Sequence, residues 1–186
     1  MDIGVTDSRH LIVKEKIIES AIKIFSKYGY SNASIRMIAE EAGVSKALIF
    51  WYFNSKDELI IEICKRALPI DVFETCLSKK LDGSSLLRCL ANEYLNKYNN
   101  QLMRSILIHT LAVGDMYPEI HNKLDSLCNK MLKEVAKQVF KSDSKESFIK
   151  MRMFFGSLLC CALRPPQDIS KDEYVNTIIK ILYSEP

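Results

Sequence analysis

The sequence predicts an all-α chain: an N-terminal three-helix helix-turn-helix domain followed by a C-terminal helical domain, about nine helices together. Three observations predict it. Glycine and proline number only 6 and 5 in 186 residues, and long runs lack both. Apolar residues recur at helical rather than alternating spacing. Serines stand where helix N-caps belong, at Ser34, Ser45, Ser55 and Ser170, the last two inside Ser-Lys-Asp-Glu capping boxes.

The first helix is expected from about Leu11 to Tyr28. Ile17, Ile18, Ala21, Ile22, Ile24 and Phe25 mark its buried side and Gly29 its stop. Ser34 caps a second helix whose apolar side is Ile35, Ile38, Ala39 and Ala42. Gly43 supplies a positive-φ turn, and Ser45 opens a third helix to about Phe53. The box at Ser55–Glu58 starts a fourth helix, which Pro69 ends. Shorter helices follow over 72–81, closed by Asp82-Gly83, then 84–98 and 101–114. Pro118 opens a helix to about Phe140, and two more cover 144–163 and 170–183. The expected division is 1–54 for the helix-turn-helix domain, 55–68 as connector, and 69–186 for a second, helical domain.

Residues 34–53, SIRMIAEEAGVSKALIFWYF, carry the functional reading. Two short helices meet across a glycine turn, with small Ala39 at their crossing. The second returns only Ile49 and Tyr52 or Phe53 to the core, which is the pattern of a DNA-reading helix-turn-helix. Its N-terminal residues Ser45, Lys46, Ala47 and Leu48 face base edges. Lys46 reaches guanine or a phosphate, and Ala47 and Leu48 a thymine methyl. Trp51 and Tyr52, one turn later, carry an N–H and an O–H suited to phosphate, although Trp51 also fits a core position. Ser34 can donate to a phosphate while capping. Lys56, at a helix N-terminus, suits a phosphate as well as it suits water.

Bulk properties bound these ideas. A net charge of +3 is mild. Residues 1–67 hold ten Lys/Arg against nine Asp/Glu, so a basic footprint must come from charges sorted onto one face. The N-terminus lacks a secretion signal, and no apolar run reaches membrane-spanning length, so a cytoplasmic chain without a membrane partner is expected. The six cysteines, Cys64, Cys76, Cys89, Cys128, Cys160 and Cys161, contain no CxxC pair and are expected as reduced thiols. His121, Asp125 and Cys128 share a helical face, a spacing found at metal sites and on ordinary polar surfaces; no metal and no cofactor are assigned. No nucleophile elbow, phosphate loop or HExxH occurs, so the chain is not expected to be an enzyme.

The segment IIESAIKIFSKYGYSNASIRMIAEEAGVSKALIFWYFNSKDELI, about a quarter of the chain, closely resembles the DNA-binding domain of the TetR family of transcriptional regulators. It joins an A…F…GY first helix, the helix-turn-helix and an F-x-x-K-x-x-L segment at the family's spacing. Residues 114–120, GDMYPEI, resemble an inter-helix stretch of the family's second domain. Ala47 stands where members often carry glycine. Phe50 stands where they often carry a tyrosine whose hydroxyl meets a phosphate; Phe50 either packs against sugar or a thymine methyl, or faces inward. The family counterpart of Arg36 often reaches DNA.

The resemblance implies that residues 69–186 are a helical ligand-binding (effector-binding) and dimerisation domain, and that the chain is a homodimer reading a palindromic operator, its heads about 34–36 Å apart, most simply as a repressor released by a small apolar or amphipathic effector. Candidate pocket walls are Phe73, Tyr94, Tyr98, Met103, Ile106, Leu107, Leu111, Met131, Phe154 and Phe155, with His109 as polar lining; each also fits a plain core. The helix at 144–163 is apolar almost all round, which suits two partners. Phe148, Met151, Phe155, Leu158 and Leu159, with Val175, Ile178, Ile179 and Leu182 of the last helix, are the candidate dimer interface. The alternative is a helical partner-binding protein that kept the fold with a degenerate DNA-binding head.

Overall fold

Serine side chains start half of the helices, and residues at positive φ close three of the turns between them. The computed structural model describes residues 3–81, 83–112 and 117–183, with side chains from residue 10 onward. Ten helices and no strand occur among the described residues: α1 Ile3–Asn32, α2 Ile35–Ala42, α3 Lys46–Tyr52, α4 Lys56–Ala67, α5 Ile70–Ser78, α6 Gly83–Lys97, α7 Gln101–Leu111, α8 Pro118–Phe140, α9 Lys145–Leu163 and α10 Lys171–Tyr183. The all-α fold expected from the sequence is therefore the one observed. Asp82, the end of the helix expected over 101–114, and Gly114, Asp115 and Met116 of the GDMYPEI stretch lie outside the described residues.

Local chemistry accounts for the boundaries. Ser34, Ser45, Ser55 and Ser144 each accept a backbone N–H three residues on, from Met37, Leu48, Glu58 and Ser147. Ser170 does the same for Glu173. The box at Ser55 is offset from its expected form, because Glu58 Oε2 accepts from the backbone and side chain of Asn54 rather than from Ser55. Two boundaries depart further. α1 begins at Ile3 rather than near Leu11, since no proline interrupts it. It also continues past Gly29, whose φ of 73° and ψ of 168° break the helical path in a conformation that glycine adopts at little cost.

The contacts divide the chain into two compact units, one drawn from Met1–Leu68 and Ser105–Ile120, the other from Pro69–Arg104 and His121–Pro186. In the first, α1 packs on α2 and α4, and α2 on α3. Its core holds Ile17, Ile18, Phe25, Ile38, Ile49, Leu59, Ile60 and Ile63, with Ile106 and Leu107 of α7. One buried polar chain crosses this core. The Thr110 hydroxyl donates to the Ile106 carbonyl at 2.8 Å, so its oxygen accepts the Tyr30 hydroxyl at 3.0 Å. The Cys64 thiol donates to Tyr30 at 3.4 Å. With one proton per hydroxyl the direction of the chain is fixed, and burial pushes the Tyr30 phenol far above its ordinary value.

In the second unit α6 packs against α5, α9 and α10, and α9 against α10. This core corrects two expectations. Met151, Leu158, Val175, Ile179 and Leu182, expected at a dimer interface, are buried in the chain's own core. Side chains at most 6% exposed have little area left to bury against a partner. Cys76 and Cys89, expected as thiols, are joined by a disulfide, their Cα atoms 5.8 Å apart. Packing of α5 on α6 brings together two residues that the spacing alone did not pair.

Candidate nucleic-acid interface

The turn before α3 is built from the backbone. At the end of α2, Gly43 N–H donates to the Glu40 carbonyl at 3.2 Å and Val44 N–H to the Ala39 carbonyl at 3.0 Å. Those paired bonds, with Gly43 left-handed at φ 61°, ψ 39°, are a Schellman closure. Ser45 then starts α3 with its side chain accepting from Leu48 N–H at 3.1 Å.

Ile49 is the only residue of α3 that is buried. Its burial contributes about 1.5–3 kcal/mol and fixes which side of the helix faces outward. Lys46, Ala47, Phe50 and Trp51 are exposed, and Leu48 and Tyr52 half-buried. Phe50 is 48% exposed and Trp51 63%, so neither takes the inward position the sequence left open for it. Ser34, Ser45 and Arg36 are also exposed. The hydroxyl protons of the two serines remain to be donated, since their oxygens serve as caps by accepting. An open cleft of about 570 Å³, lined by Arg36, Glu40, Gly43, Ser45 and Lys46 among others, runs along this turn.

Three details alter the expected contacts. The Tyr52 hydroxyl donates to the backbone carbonyl of His10 at 3.1 Å, so in this arrangement its proton is not offered to a phosphate. Arg36 pairs with Glu40 at 2.8 Å, which raises its already high pKa and sets a carboxylate beside the same surface. Lys56, the first residue of α4, is half-buried, and burial lowers its pKa.

Sequence reasoning missed the residues that α1 brings to this surface. The His10 ring lies 4.8 Å from Trp51, and Lys14 Nζ sits 5.6 Å over the Phe53 ring. Lys16 Nζ lies beside Gly43. A helix begun near Leu11 leaves His10 outside it, whereas Lys14 and Lys16 fall inside the expected helix and reach this surface only through the packing of α1 on the rest of the head.

The expected pocket residues divide between the units. Phe73, Tyr94, Tyr98, Phe154 and Phe155 form one aromatic cluster in the second unit, with ring centroids 4.5–5.7 Å apart. Burial raises both tyrosine pKa values, so the phenols stay protonated. Met103 and Met131 are half-buried in that unit. Ile106, Leu107, His109 and Leu111 belong to the first unit, where His109 lies against Tyr30 and Leu111 is exposed. Also in the second unit is an open cleft of about 430 Å³, whose walls include Tyr98, Asn99, Arg104, Ala162, Leu163 and Lys171. Of the expected interface residues, Phe148, Phe155, Leu159 and Ile178 are half-buried.

Comparison with known proteins identifies this architecture. The family model described as bacterial regulatory proteins of the tetR family matches residues 17–63. The HTH-type transcriptional regulator HbdR of Aromatoleum is 38% identical over 70 residues, which are 38% of this chain and 30% of that protein. SrpR of Pseudomonas putida, also an HTH-type transcriptional regulator, is 36% identical over 124 residues, 66% of this chain and 57% of its own length. The chain thus matches about a third to a little over half of these relatives. A TetR-like regulator from Rhodococcus sp. RHA1 superposes with a TM-score of 0.72 over 92% of this chain and 93% of that one; at 18% identity the likeness is one of fold. Residues 17–63 thus match the DNA-binding domain of the TetR family, in a chain whose fold is that of TetR-like regulators. Among the described residues no helix is long and apolar enough to cross a membrane.

Proposed function

We propose that the chain is a DNA-binding transcriptional regulator that reads a palindromic operator as a homodimer, acts as a repressor, and releases DNA when a small apolar or amphipathic effector binds its second unit. The observation that carries this reading is α3 itself. One side chain, Ile49, anchors the helix, and Lys46, Ala47, Phe50 and Trp51 project into solvent beside the capping serines. Such a helix fits a major groove, with Ser45, Lys46, Ala47 and Leu48 toward base edges. Ser34, Arg36, Trp51 and Lys56 are proposed at the phosphates, joined by His10 and Lys14, while Phe50 packs on sugar. Tyr52 acts indirectly, holding α3 to α1 through the His10 carbonyl.

The dimer is proposed along α9. Its exposed positions Ile149, Met153, Gly156, Cys160 and Leu163 are spaced four, three, four and three, the repeat of a helix–helix seam. Nothing lies within 4 Å of where a Cβ on Gly156 would be, so a partner helix can approach closely there. For the effector, the aromatic cluster and the neighbouring cleft support an amphipathic molecule. Arg104 and Lys171, on the cleft wall, donate to neutral oxygens of Tyr98, Asn99 and Asn96, which suits an acidic head group.

A mobility-shift titration with the DNA upstream of the chain's own reading frame tests the proposal. Binding that survives excess random duplex supports it; binding abolished by that competitor to the same degree as on random DNA refutes it.

A further inference from the structure

We propose that Cys76 and Cys89 are a reversible thiol–disulfide pair, with Cys89 the sulfur that reacts first with a hydroperoxide. The pair is bonded in the structure and joins neighbouring helices, α5 and α6, across a sequence separation of 13. Since these helices pack on one another, opening the bond leaves both sulfurs within reach of re-forming it.

The two sulfurs have different surroundings. Cys76 is fully buried. Cys89 is half-buried and lines an open cleft of about 340 Å³ with Lys79, Ser84, Arg88, Asn92 and Glu93. Lys79 Nζ lies 3.5 Å from Cys89 Sγ, and 3.3 Å from a Glu93 oxygen that keeps the ammonium in place. Once the bond is open, a cation at that distance favours the Cys89 thiolate, whereas the apolar core keeps Cys76 protonated. An incoming small oxidant therefore meets a nucleophile at Cys89, and the resolving thiol waits behind it. Cys64 and Cys161 are buried and burial raises the pKa of each; Cys128 is half-buried and its pKa is raised in the same way.

The chemistry balances without a further reagent. The Cys89 thiolate attacks one oxygen of the hydroperoxide and the O–O bond breaks. The departing alkoxide takes a proton from water and leaves as the alcohol, with Cys89 now a sulfenic acid. The Cys76 sulfur attacks the Cys89 sulfur and the S–S bond forms. Hydroxide leaves with the Cys76 proton as water. Two thiols and one hydroperoxide give one disulfide, one alcohol and one water, and two electrons pass from sulfur to oxygen.

The test uses the full chain, reduced with dithiothreitol, desalted, exposed to hydrogen peroxide, and mapped by alkylation and peptide mass; it requires no DNA. The expected result is loss of alkylation at Cys76 and Cys89, as a linked peptide, before any change at Cys64, Cys128, Cys160 or Cys161, reversed by dithiothreitol. Lys79→Met, with folding checked by circular dichroism, should slow Cys89 oxidation about threefold: roughly tenfold less thiolate, partly offset by its greater intrinsic nucleophilicity. Lys79→Arg should keep the rate. A bond that dithiothreitol cannot open in the folded chain, earlier oxidation of exposed Cys160, or an unchanged rate in Lys79→Met would each overturn the proposal.

Discussion

Two exposed apolar surfaces, on α3 and on α9, differ in kind. α3 shows a short, mixed patch in which Phe50 and Trp51 stand beside Lys46 and the capping serines. α9 shows a row, Ile149, Met153, Gly156, Cys160 and Leu163, that keeps one side over about four turns. A short patch with N–H, O–H and ammonium donors suits a polar polyanion, whose phosphates and sugars alternate over a few ångströms. A long row at heptad spacing suits another helix. Exposure alone does not separate these uses; the polar neighbours and the length of the stripe do.

The largest expected effect breaks the α9 side of the comparison. Ile149→Glu with Met153→Glu puts two charges into the proposed seam, about 4 kcal/mol or roughly a thousandfold in association. Sedimentation should then give a monomer at concentrations where the parent chain is a dimer. An unchanged dimer would mean that the row serves another purpose.

Two glycines sharpen the contrast. Gly43 holds φ 61°, so Gly43→Val should cost about 1–3 kcal/mol in urea unfolding. Gly156 lies inside a helix with open space around it, so Gly156→Ala should stabilise the monomer by about 0.5–1 kcal/mol while weakening association. Opposite signs in unfolding are the result to look for. Trp51→Ala gives a smaller effect. The ring is largely exposed, so stability should stay within about 0.5 kcal/mol while DNA affinity falls about tenfold. A large loss of stability instead would return Trp51 to the core.

Much of the head could be read from short-range chemistry. Gly43 at the turn, Ser34, Ser45 and Ser55 as caps, and Ile49 as the inward residue are all set by neighbours within a turn or two, and those signals survive in one dimension. What escaped depends on contacts between distant residues. Tyr52 reads as a free hydroxyl until α1 brings the His10 carbonyl to it, 42 positions away. On α9 the all-round apolar pattern announced two covered sides without saying which was which. Met151 and Leu158 turned out to serve the chain's own core, and Ile149 and Met153, left out of the expected interface, face solvent. The disulfide was hidden for the same reason, since a 13-residue spacing has meaning only once α5 lies on α6. The resemblance to the family reached the segment that carries the motif, and the second unit, with its aromatic cluster, had no comparable local signature.

The central claim is that α3 reads bases while the helix ends around it hold phosphates. Its most direct test is an anisotropy titration of Lys46→Ala and Lys56→Ala, each against the upstream duplex and a scrambled duplex of the same composition, across a range of salt. The account predicts that Lys56→Ala weakens both duplexes equally and flattens the salt dependence by about one unit of slope, while Lys46→Ala weakens the upstream duplex more than the scrambled one. Equal losses on both duplexes for both variants would contradict it.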